Sequence, residues 1–151
     1  MTSPGVRRWA VVGLCLAVVA SVPFRVIAGR DQRDLSRLVL GVYDVESDAS
    51  GEFRWTMDRA RLFVPSSART LVLPIRSLAP VPQEVVVRLD GEAVDTVRLQ
   101  DHDWHDLRYV LPRRRGAGRF LHLELRVSPT WHPPDDPRTL GVQLGRYAWA
   151  P

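Results

Sequence analysis

The sequence predicts an all-β fold, an antiparallel β-sandwich of jelly-roll type with about eight or nine strands, preceded by one N-terminal transmembrane or signal helix. Beyond residue 37, apolar side chains recur at every second position in short runs, which is the period of a strand with one buried face. Clusters of Pro, Gly, Ser and Asp separate these runs, and no interval between them has a helical period.

The N-terminal segment is apolar and uncharged at residues 9–24, between Arg7-Arg8 and Arg25. Its length lies between the apolar region of a cleaved signal peptide, about 7 to 15 residues, and the roughly 20 residues that span a bilayer. Since Arg25 can snorkel to the far interface, the helix can extend to Ala28. We therefore expect residues 1–28 to be a retained anchor that contacts the membrane through residues 9–28, with signal cleavage as the alternative.

A charged stretch at residues 29–37 is predicted to be a linker, and residues 38–151 are predicted to form a single β domain. A domain of about 120 residues can build its own core. The one cysteine of the chain, Cys15, lies in the apolar segment, so the β domain has no disulfide and no thiolate metal site.

The clearest local signal is a β-hairpin at residues 84–99. Asp90-Gly91 joins two apolar runs, and this pair favours a tight primed turn because both central residues need a positive φ. Val94 on the return strand is out of phase with its neighbours, as a β-bulge would leave it. The apolar face of the first strand is formed by Val85, Val87 and Leu89.

Alternating apolar residues predict the other strands on either side of this hairpin. Before it, strands are predicted at residues 38–43, 53–57, 60–64 and 70–76. After it, strands are predicted at residues 107–111, 121–127 and 140–144, the last continuing to Tyr147 or Trp149. Pro74 cannot donate to a ladder, which favours an edge position for its strand.

The charge of the chain is less basic than its total suggests. The formal net charge is +4, and all 21 basic residues are Arg. Three of them lie in or beside the apolar segment, which leaves 18 against 17 Asp plus Glu. Beyond the apolar segment the only basic run is Arg113-Arg114-Arg115, which we interpret as a solvated loop, with a lipid-binding patch as the alternative. Because a nucleic-acid binder carries a concentrated basic face, we expect no nucleic-acid partner.

Catalytic signatures are missing from the sequence. It has no Gly-x-Ser-x-Gly elbow, no His-Glu-x-x-His and no phosphate-binding glycine loop. Two carboxylates placed across a cleft would suffice for a glycosidase, and such a pair has no sequence signature. We therefore expect a protein that is not an enzyme, with no catalytic residues.

The loop at residues 130–138 is the main candidate for ligand binding. It is rich in proline, which stiffens it, and it displays an aromatic ring beside charged groups, a combination that suits sugar recognition. The alternative is a structural loop in which Trp131 is a lid and Asp136 pairs with Arg138. Trp104, from the turn before residue 107, joins the candidates. The candidate ligand-binding residues are Trp131, His132, Asp135, Asp136, Arg138 and Trp104.

A polar cluster at residues 101–106 could hold a metal through imidazole and carboxylate groups. Its candidate ligands are His102, Asp103 and His105. Two His this close seldom face one ion from a strand, so we expect no cofactor and no metal, and interpret the cluster as a polar turn. If an ion were bound, Asp and backbone oxygens would suit Ca²⁺ as well as the imidazoles suit Zn²⁺.

Five short motifs follow one another through the β domain. They are Phe53-Arg54-Trp55-Thr56, the strand ending in Leu62-x-Val64-Pro65, the Asp90-Gly91 hairpin, the Trp104 turn, and Asp136-Pro137-Arg138-x-Leu140-Gly141-Val142. In this order they resemble the jelly-roll domain appended to some bacterial membrane glycosyltransferases, which has stand-alone relatives of unknown function. The resemblance covers about residues 38–147 and implies an extracytoplasmic, galactose-binding-like β-sandwich associated with envelope glycans. The chain has no transferase region, so catalysis does not follow from it.

These observations predict a non-catalytic extracytoplasmic binding or accessory module, with an envelope saccharide or glycoconjugate as its ligand. The positive-inside rule and the resemblance place it in the bacterial inner membrane, single-pass with the C-terminal domain outside; signal cleavage would make it secreted or periplasmic. The alternative function is a protein-interaction subunit of a membrane glycosyltransferase or another envelope complex, docking through a sheet face or the edge near Pro74. A hydrolase on the same sandwich is a third candidate.

Overall fold

The computed structural model describes residues 39–112 and 119–151. The predictions for the anchor at residues 1–28, the linker at residues 29–37 and the arginine run at residues 113–115 lie outside the described residues. Among the described residues, no helix is long and apolar enough to cross a bilayer.

Nine strands make up the described secondary structure. They are β1 (Val39–Asp48), β2 (Gly51–Pro65), β3 (Thr70–Arg76), β4 (Gln83–Leu89), β5 (Glu92–Leu99), β6 (His105–Val110), β7 (Phe120–Ser128), β8 (Gln143–Gly145) and β9 (Ala148–Ala150). Every pairing between them is antiparallel. The prediction of an all-β, antiparallel fold is confirmed.

The strands form one curled sheet in the order β5-β4-β7-β2-β8-β3-β6, with β1 also on β2 and β9 also on β3. The long strand β2 changes neighbours along its length. Its C-terminal half pairs with β7 through residues 59–65, and its N-terminal half pairs with β8 through residues 53–55. The strand β2 therefore belongs to both parts of the sheet. The sheet curls at this strand, so that the inner faces of its two parts face each other.

The main core lies inside this curl. Alternate residues of β2, β3, β4 and β7 are buried in a single hydrophobic cluster. Its fully enclosed members include Leu62, Leu73, Val85, Leu123 and Leu125. Burial of each such side chain stabilises the fold by about 1.5–3 kcal/mol. Strands from both ends of the sheet order contribute, so the core can form only when the sheet is curled.

The predicted hairpin is confirmed. Asp90 and Gly91 both have positive φ, 48° and 92°. The β4–β5 register shifts after the pair Val87↔Asp95, so that Arg88 lies opposite Ala93 and Val94 is the extra residue. The bulge predicted at Val94 is therefore present.

The strands predicted at residues 53–57 and 60–64 are a single strand, β2. Its buried positions are odd-numbered at Phe53 and Trp55 and even-numbered from Ala60 onward, which gives the appearance of two runs. Register shifts in the β1–β2 ladder absorb the change of phase. Gly41, with φ 72°, lies where this ladder is irregular.

The prediction that Pro74 marks an edge strand is wrong. β3 pairs along its length with β6, and on its other side it pairs with β9 through residues 70–72 and with β8 through Ile75 and Arg76. Pro74 lies in the gap between these two short partners. The sheet thus accommodates a residue without an N–H inside an interior strand, because the neighbouring ladder is interrupted there.

The strand predicted at residues 140–144 is divided in the structure. Leu140 forms an isolated bridge with Trp131, residues 143–145 form β8, and residues 148–150 form β9. The alternation of apolar residues is continuous through this segment, but its partners change from the 130–138 loop to β2 and then to β3.

Candidate functional site

A second, smaller hydrophobic cluster lies outside the main core. Its buried members are Phe53, Trp55 and Leu140, and Tyr43, Leu78, Trp104 and Trp131 pack against it while remaining partly exposed. Phe53 meets Trp55 edge to face at 6.3 Å between ring centroids. Trp55 is buried, with 6% of its surface exposed. Two of the candidate ligand-binding residues, Trp104 and Trp131, therefore border one aromatic cluster.

Trp131 is held in place by both its backbone and its ring. Its N–H donates to the Leu140 carbonyl and its own carbonyl accepts from the Leu140 N–H, each at 2.9 Å. Its ring meets Trp55 edge-on at 6.3 Å. The indole Nε1 is buried and has no hydrogen-bond partner among the described residues. Trp131 thus covers the aromatic cluster, as the alternative of a structural lid requires.

Asp136 and Arg138 of the 130–138 loop pair with each other, and Arg138 also pairs with Glu46 of β1. Arg138 donates to both carboxylate oxygens of Asp136, and its Nη1 donates to Glu46 Oε1 at 2.5 Å. Its guanidinium also lies over the Tyr43 ring, 5.1 Å from the centroid. The hydrogen bonds from Arg138 lower the pKa of Asp136, and those to Asp136 and Glu46 raise the pKa of Arg138. The ion pair expected for the structural alternative is therefore present.

The two remaining loop candidates lie on the surface. His132 is exposed, with its Nε2 3.3 Å from the Thr139 hydroxyl. Asp135 is also exposed. The structure joins Asp136 to Arg138 and does not place His132 or Asp135 in that contact, so their role in binding a ligand stays a prediction.

A concave site lies beside Trp104. Its volume is about 420 Å³, within the range of about 300–1,000 Å³ typical of ligand pockets. It is lined by Ser50, Glu52, Pro74, Trp104, Asp106, Gly145 and Arg146. We call this the Trp104 cavity. It combines one indole ring with a hydroxyl, two carboxylates and a guanidinium.

The Trp104 ring is fixed on three sides. Its Nε1 donates to the Ser50 hydroxyl at 2.9 Å. The Arg76 guanidinium lies over the ring, 4.6 Å from its centroid. Gly145 lies close beneath it, since a Cβ there would come within 3.3 Å of the ring and 3.1 Å of Pro74 Cβ. The absence of a side chain at Gly145 therefore lets the indole pack against the sheet.

Arg76 itself is held by a polar network at the end of β3. Its Nε donates to the buried Gln143 side chain and its Nη2 donates to Asp48, both at 2.6 Å. Hydrogen bonds from Ser50 and then from Arg76 lower the pKa of Asp48 to about 2. Ser50 thus connects Asp48 to Trp104, and the ring position depends on three strands and the β1–β2 turn.

The charged groups of the Trp104 cavity are less engaged. Glu52 and Arg146 make no ion pair or side-chain hydrogen bond with any other described residue. Asp106 makes a single exposed contact, with Arg108 at 3.4 Å. These groups are available to a ligand that offers both hydrogen-bond donors and acceptors.

The metal candidates do not converge. His105 Nε2 lies 2.6 Å from Asp101 Oδ1, and this hydrogen bond lowers the pKa of Asp101. His102 and Asp103 are exposed, and within residues 39–112 and 119–151 no group of three or more His, Cys, Asp or Glu side chains is placed to hold an ion.

Trp104 is among the candidates predicted from the sequence, whereas the residues that surround it in the structure are not. Ser50 and Glu52 come from the β1–β2 turn and the start of β2, Arg76 ends β3, and Arg146 follows β8. They are up to 96 positions apart in the chain and become neighbours only because β8 lies between β2 and β3. No local motif marks them.

A scan against protein-family models finds no match for this chain, and a search of curated proteins finds no significant relative.

Proposed function

We propose that this protein is a non-catalytic binding module that holds a saccharide or glycoconjugate of the bacterial cell envelope in the Trp104 cavity. The observation that carries the proposal is the indole ring of Trp104, fixed beside unpaired polar groups in a cavity of about 420 Å³. An aromatic ring covers the apolar face of a sugar, and carboxylates and a guanidinium take its hydroxyls.

Preorganisation supports this proposal. Trp104 is held by Ser50, Arg76 and Gly145 before any ligand arrives. A ring that is already fixed loses little conformational entropy on binding, which favours affinity. The neighbouring carboxylate of Glu52 and guanidinium of Arg146 make no ion pair with other described residues and need not break one to meet a hydroxyl.

The fold is consistent with the same proposal. We infer that the curled sheet corresponds to a β-sandwich of jelly-roll type, similar to the galactose-binding-like domain appended to some bacterial membrane glycosyltransferases. A main core enclosed by one face of the sheet supports this assignment. The proposed location is the inner membrane, with residues 9–28 as a single-pass anchor and the β domain outside the cytoplasm, or the periplasm after cleavage.

The experiment is a titration of the full chain with envelope monosaccharides, such as galactose and N-acetylglucosamine, followed by tryptophan fluorescence and calorimetry. We expect a saturable change that Trp104→Ala abolishes. Glu52→Gln keeps the indole reporter and should weaken binding at least about tenfold, since a hydrogen bond to a charged group is lost. Arg98→Gln, which removes an exposed charge on β5 away from the cavity lining, is the control and should bind as the wild type does.

Other outcomes of the titration separate the rival sites. A response that survives Trp104→Ala but is lost in Trp131→Phe would move the site to the 130–138 loop. Release of reducing ends from an oligosaccharide, abolished by Glu52→Gln, would favour the hydrolase, because Glu52 and Asp106 line the same cavity. No saccharide response from a folded chain would contradict the proposal.

A protein-interaction subunit is the second candidate. Val110, at the end of β6, is 88% exposed. β6 is also the last strand in the sheet order, with one side unpaired among the described strands. An unpaired strand with an exposed apolar residue can receive a strand from a partner. Capture of one envelope protein by the wild type, lost on Val110→Lys, would favour this candidate.

A further inference from the structure

The outer face of the curled sheet carries a cluster of arginines. The face formed by β4, β7 and β2 is opposite to the main core, because the buried and exposed residues of these strands alternate. In cross-strand register, Arg59 lies opposite Arg126, and Glu124 lies between Arg61 and Arg88. We call these five residues the arginine face.

Glu124 organises three of the guanidinium groups. Its Oε2 accepts from Arg59 at 2.5 Å and from Arg61 at 3.3 Å, and its Oε1 accepts from Arg126 at 2.7 Å. Burial works to raise the pKa of Glu124, but the hydrogen bonds from Arg59 and Arg126 outweigh it and lower the pKa to about 2. The carboxylate is therefore ionised at neutral pH and holds the guanidinium groups together.

The positive charge of this face exceeds what its carboxylate neutralises. Three guanidinium groups contact the Glu124 carboxylate, and that of Arg88 donates to the uncharged carbonyl of Gly91. Arg59, Arg61 and Arg126 keep side-chain exposures of 45–50%. The Asp90 carboxylate, which accepts from the His122 N–H, adds one negative charge and leaves the face basic. On the same side of the sheet, Glu84 lies opposite Arg98 in the β4–β5 ladder, so that pair adds no net charge. A guanidinium with free N–H groups binds phosphate in a bidentate manner.

Exposed apolar side chains flank the arginine face. Leu40, the register partner of Arg61 in the β1–β2 ladder, is 58% exposed. Phe120, at the start of β7, is 38% exposed. Next to it, His122 and Phe63 meet edge to face at 5.2 Å. Basic groups bordered by apolar and aromatic side chains on an extended sheet face suit a bilayer surface, where headgroups lie above acyl chains.

We propose that the arginine face binds the anionic phospholipid headgroups of a membrane surface. Because the arginine face is positively charged, we expect it to bind a surface that carries negatively charged phosphate groups. The exposed side chains of Leu40 and Phe120 beside the arginines favour a bilayer over a soluble polymer strand, which offers no acyl chains to apolar groups. This interaction is separate from the Trp104 cavity and does not depend on a saccharide ligand. It would lay the β domain on the bilayer, with β4, β7 and β2 facing the lipid.

The test uses the full chain with a reporter on the face itself. His122→Cys, in a Cys15→Ser background, carries an environment-sensitive NBD label. We expect its emission to rise and shift to the blue with vesicles of phosphatidylglycerol and phosphatidylcholine, and not with phosphatidylcholine alone. The same label on Val110→Cys, on β6, should not respond. High salt should reduce the response, because exposed charges are screened.

Two matched substitutions test the role of charge. Arg61 and Arg108 each make one weak carboxylate contact, at 3.3 and 3.4 Å, and both are exposed. Arg61→Gln should weaken partitioning onto the phosphatidylglycerol vesicles about fivefold, and Arg108→Gln should leave it unchanged. If Arg61→Gln does not fold, Arg126→Gln provides the same test.

Three results would overturn the inference. One is an NBD response at residue 122 that is equal for both kinds of vesicle. Another is equal weakening by Arg61→Gln and Arg108→Gln. The third is saturable binding of dextran sulfate at this face with no response to phosphatidylglycerol vesicles, which would make a soluble polyanion the ligand.

Discussion

The guanidinium of Arg76 lies over the indole ring of Trp104, 4.6 Å from the ring centroid. The same group donates to Asp48 and to the buried side chain of Gln143. One side chain thus links the polar interior at β8 to the aromatic wall of the cavity. Its position makes the geometry of the proposed binding site depend on the packing of the sheet.

Arg76→Met should lower the free energy of unfolding by about 1–3 kcal/mol, because the Gln143 side chain, which is 2% exposed, loses its donor. The near-ultraviolet circular dichroism of the folded chain should also change as Trp104 loses its stacking partner. Urea unfolding measures the first effect. Arg108→Met removes an exposed arginine and should change stability by less than about 0.5 kcal/mol; equal effects for both variants would contradict the role given to Arg76.

Gly41→Ala should destabilise the fold more than Gly91→Ala. Both glycines have positive φ, 72° and 92°, so both variants carry backbone strain of about 1 kcal/mol or more. At Gly41 a Cβ would also come within 2.0 Å of the Arg59 carbonyl oxygen, whereas at Gly91 nothing lies within 4 Å. Since a carbonyl cannot move without disturbing the β1–β2 ladder, the extra cost should be about 1–3 kcal/mol. Thermal and urea unfolding of the two variants would show the difference, and similar values would refute it.

The stability of the protein should depend on the charge of Glu124 in acid. Its pKa is lowered from 4.5 to about 2 in the folded state. The unfolded chain therefore takes up a proton at higher pH than the folded one, and the contribution of Glu124 is fully present above pH 4.5 and lost as the pH falls toward 2. Urea midpoints across this interval should fall less steeply for Glu124→Gln than for the wild type. The pKa of Asp48 is also lowered to about 2, so Asp48 contributes to the pH dependence of the urea midpoint in both proteins. The slope for Glu124→Gln should therefore be smaller but not zero. Identical slopes would mean that the arginines do not hold Glu124 as described.

Trp131→Phe should leave stability unchanged or raise it by up to about 1 kcal/mol. The substitution removes a buried indole N–H that has no partner among the described residues, and it keeps an aromatic ring against Trp55. Trp131→Ala, which removes the ring as well, should cost about 3 kcal/mol, the low end for such a change because the ring is only partly buried. A clear loss of stability in Trp131→Phe, measured by urea unfolding, would indicate that the N–H is satisfied.

Local patterns identified much of the strand content. Alternation located β3, β4 and β7, because in each strand every second side chain is buried against the core and the others are more exposed. It failed at β2, where two patterns of opposite parity belong to one strand, since the ladder with β1 is irregular between them. It also failed at Pro74, because a strand can be interior where its partners on one side are short and leave a gap.

The candidate site was predicted in part. Trp104 was among the expected ligand-binding residues, but the emphasis lay on the 130–138 loop, whose aromatic and charged side chains are adjacent in sequence. In the folded chain Asp136 and Arg138 pair with each other and Trp131 packs on Trp55, while the unpaired polar groups lie beside Trp104. Adjacency in sequence shows which groups are close together. It does not show which of them already have a hydrogen-bond or ion-pair partner in the folded chain.

The sequence by itself determined the strand period, the Asp90-Gly91 turn and the bulge at Val94, because these depend on residues within a few positions of one another. Tertiary structure alone decided the curl of the sheet, the Trp104 cavity and the arginine face. These require β8 to lie between β2 and β3, and β7 between β4 and β2. Strand order is set by which apolar faces fill the common core best, and that choice is shared by residues from both ends of the β domain.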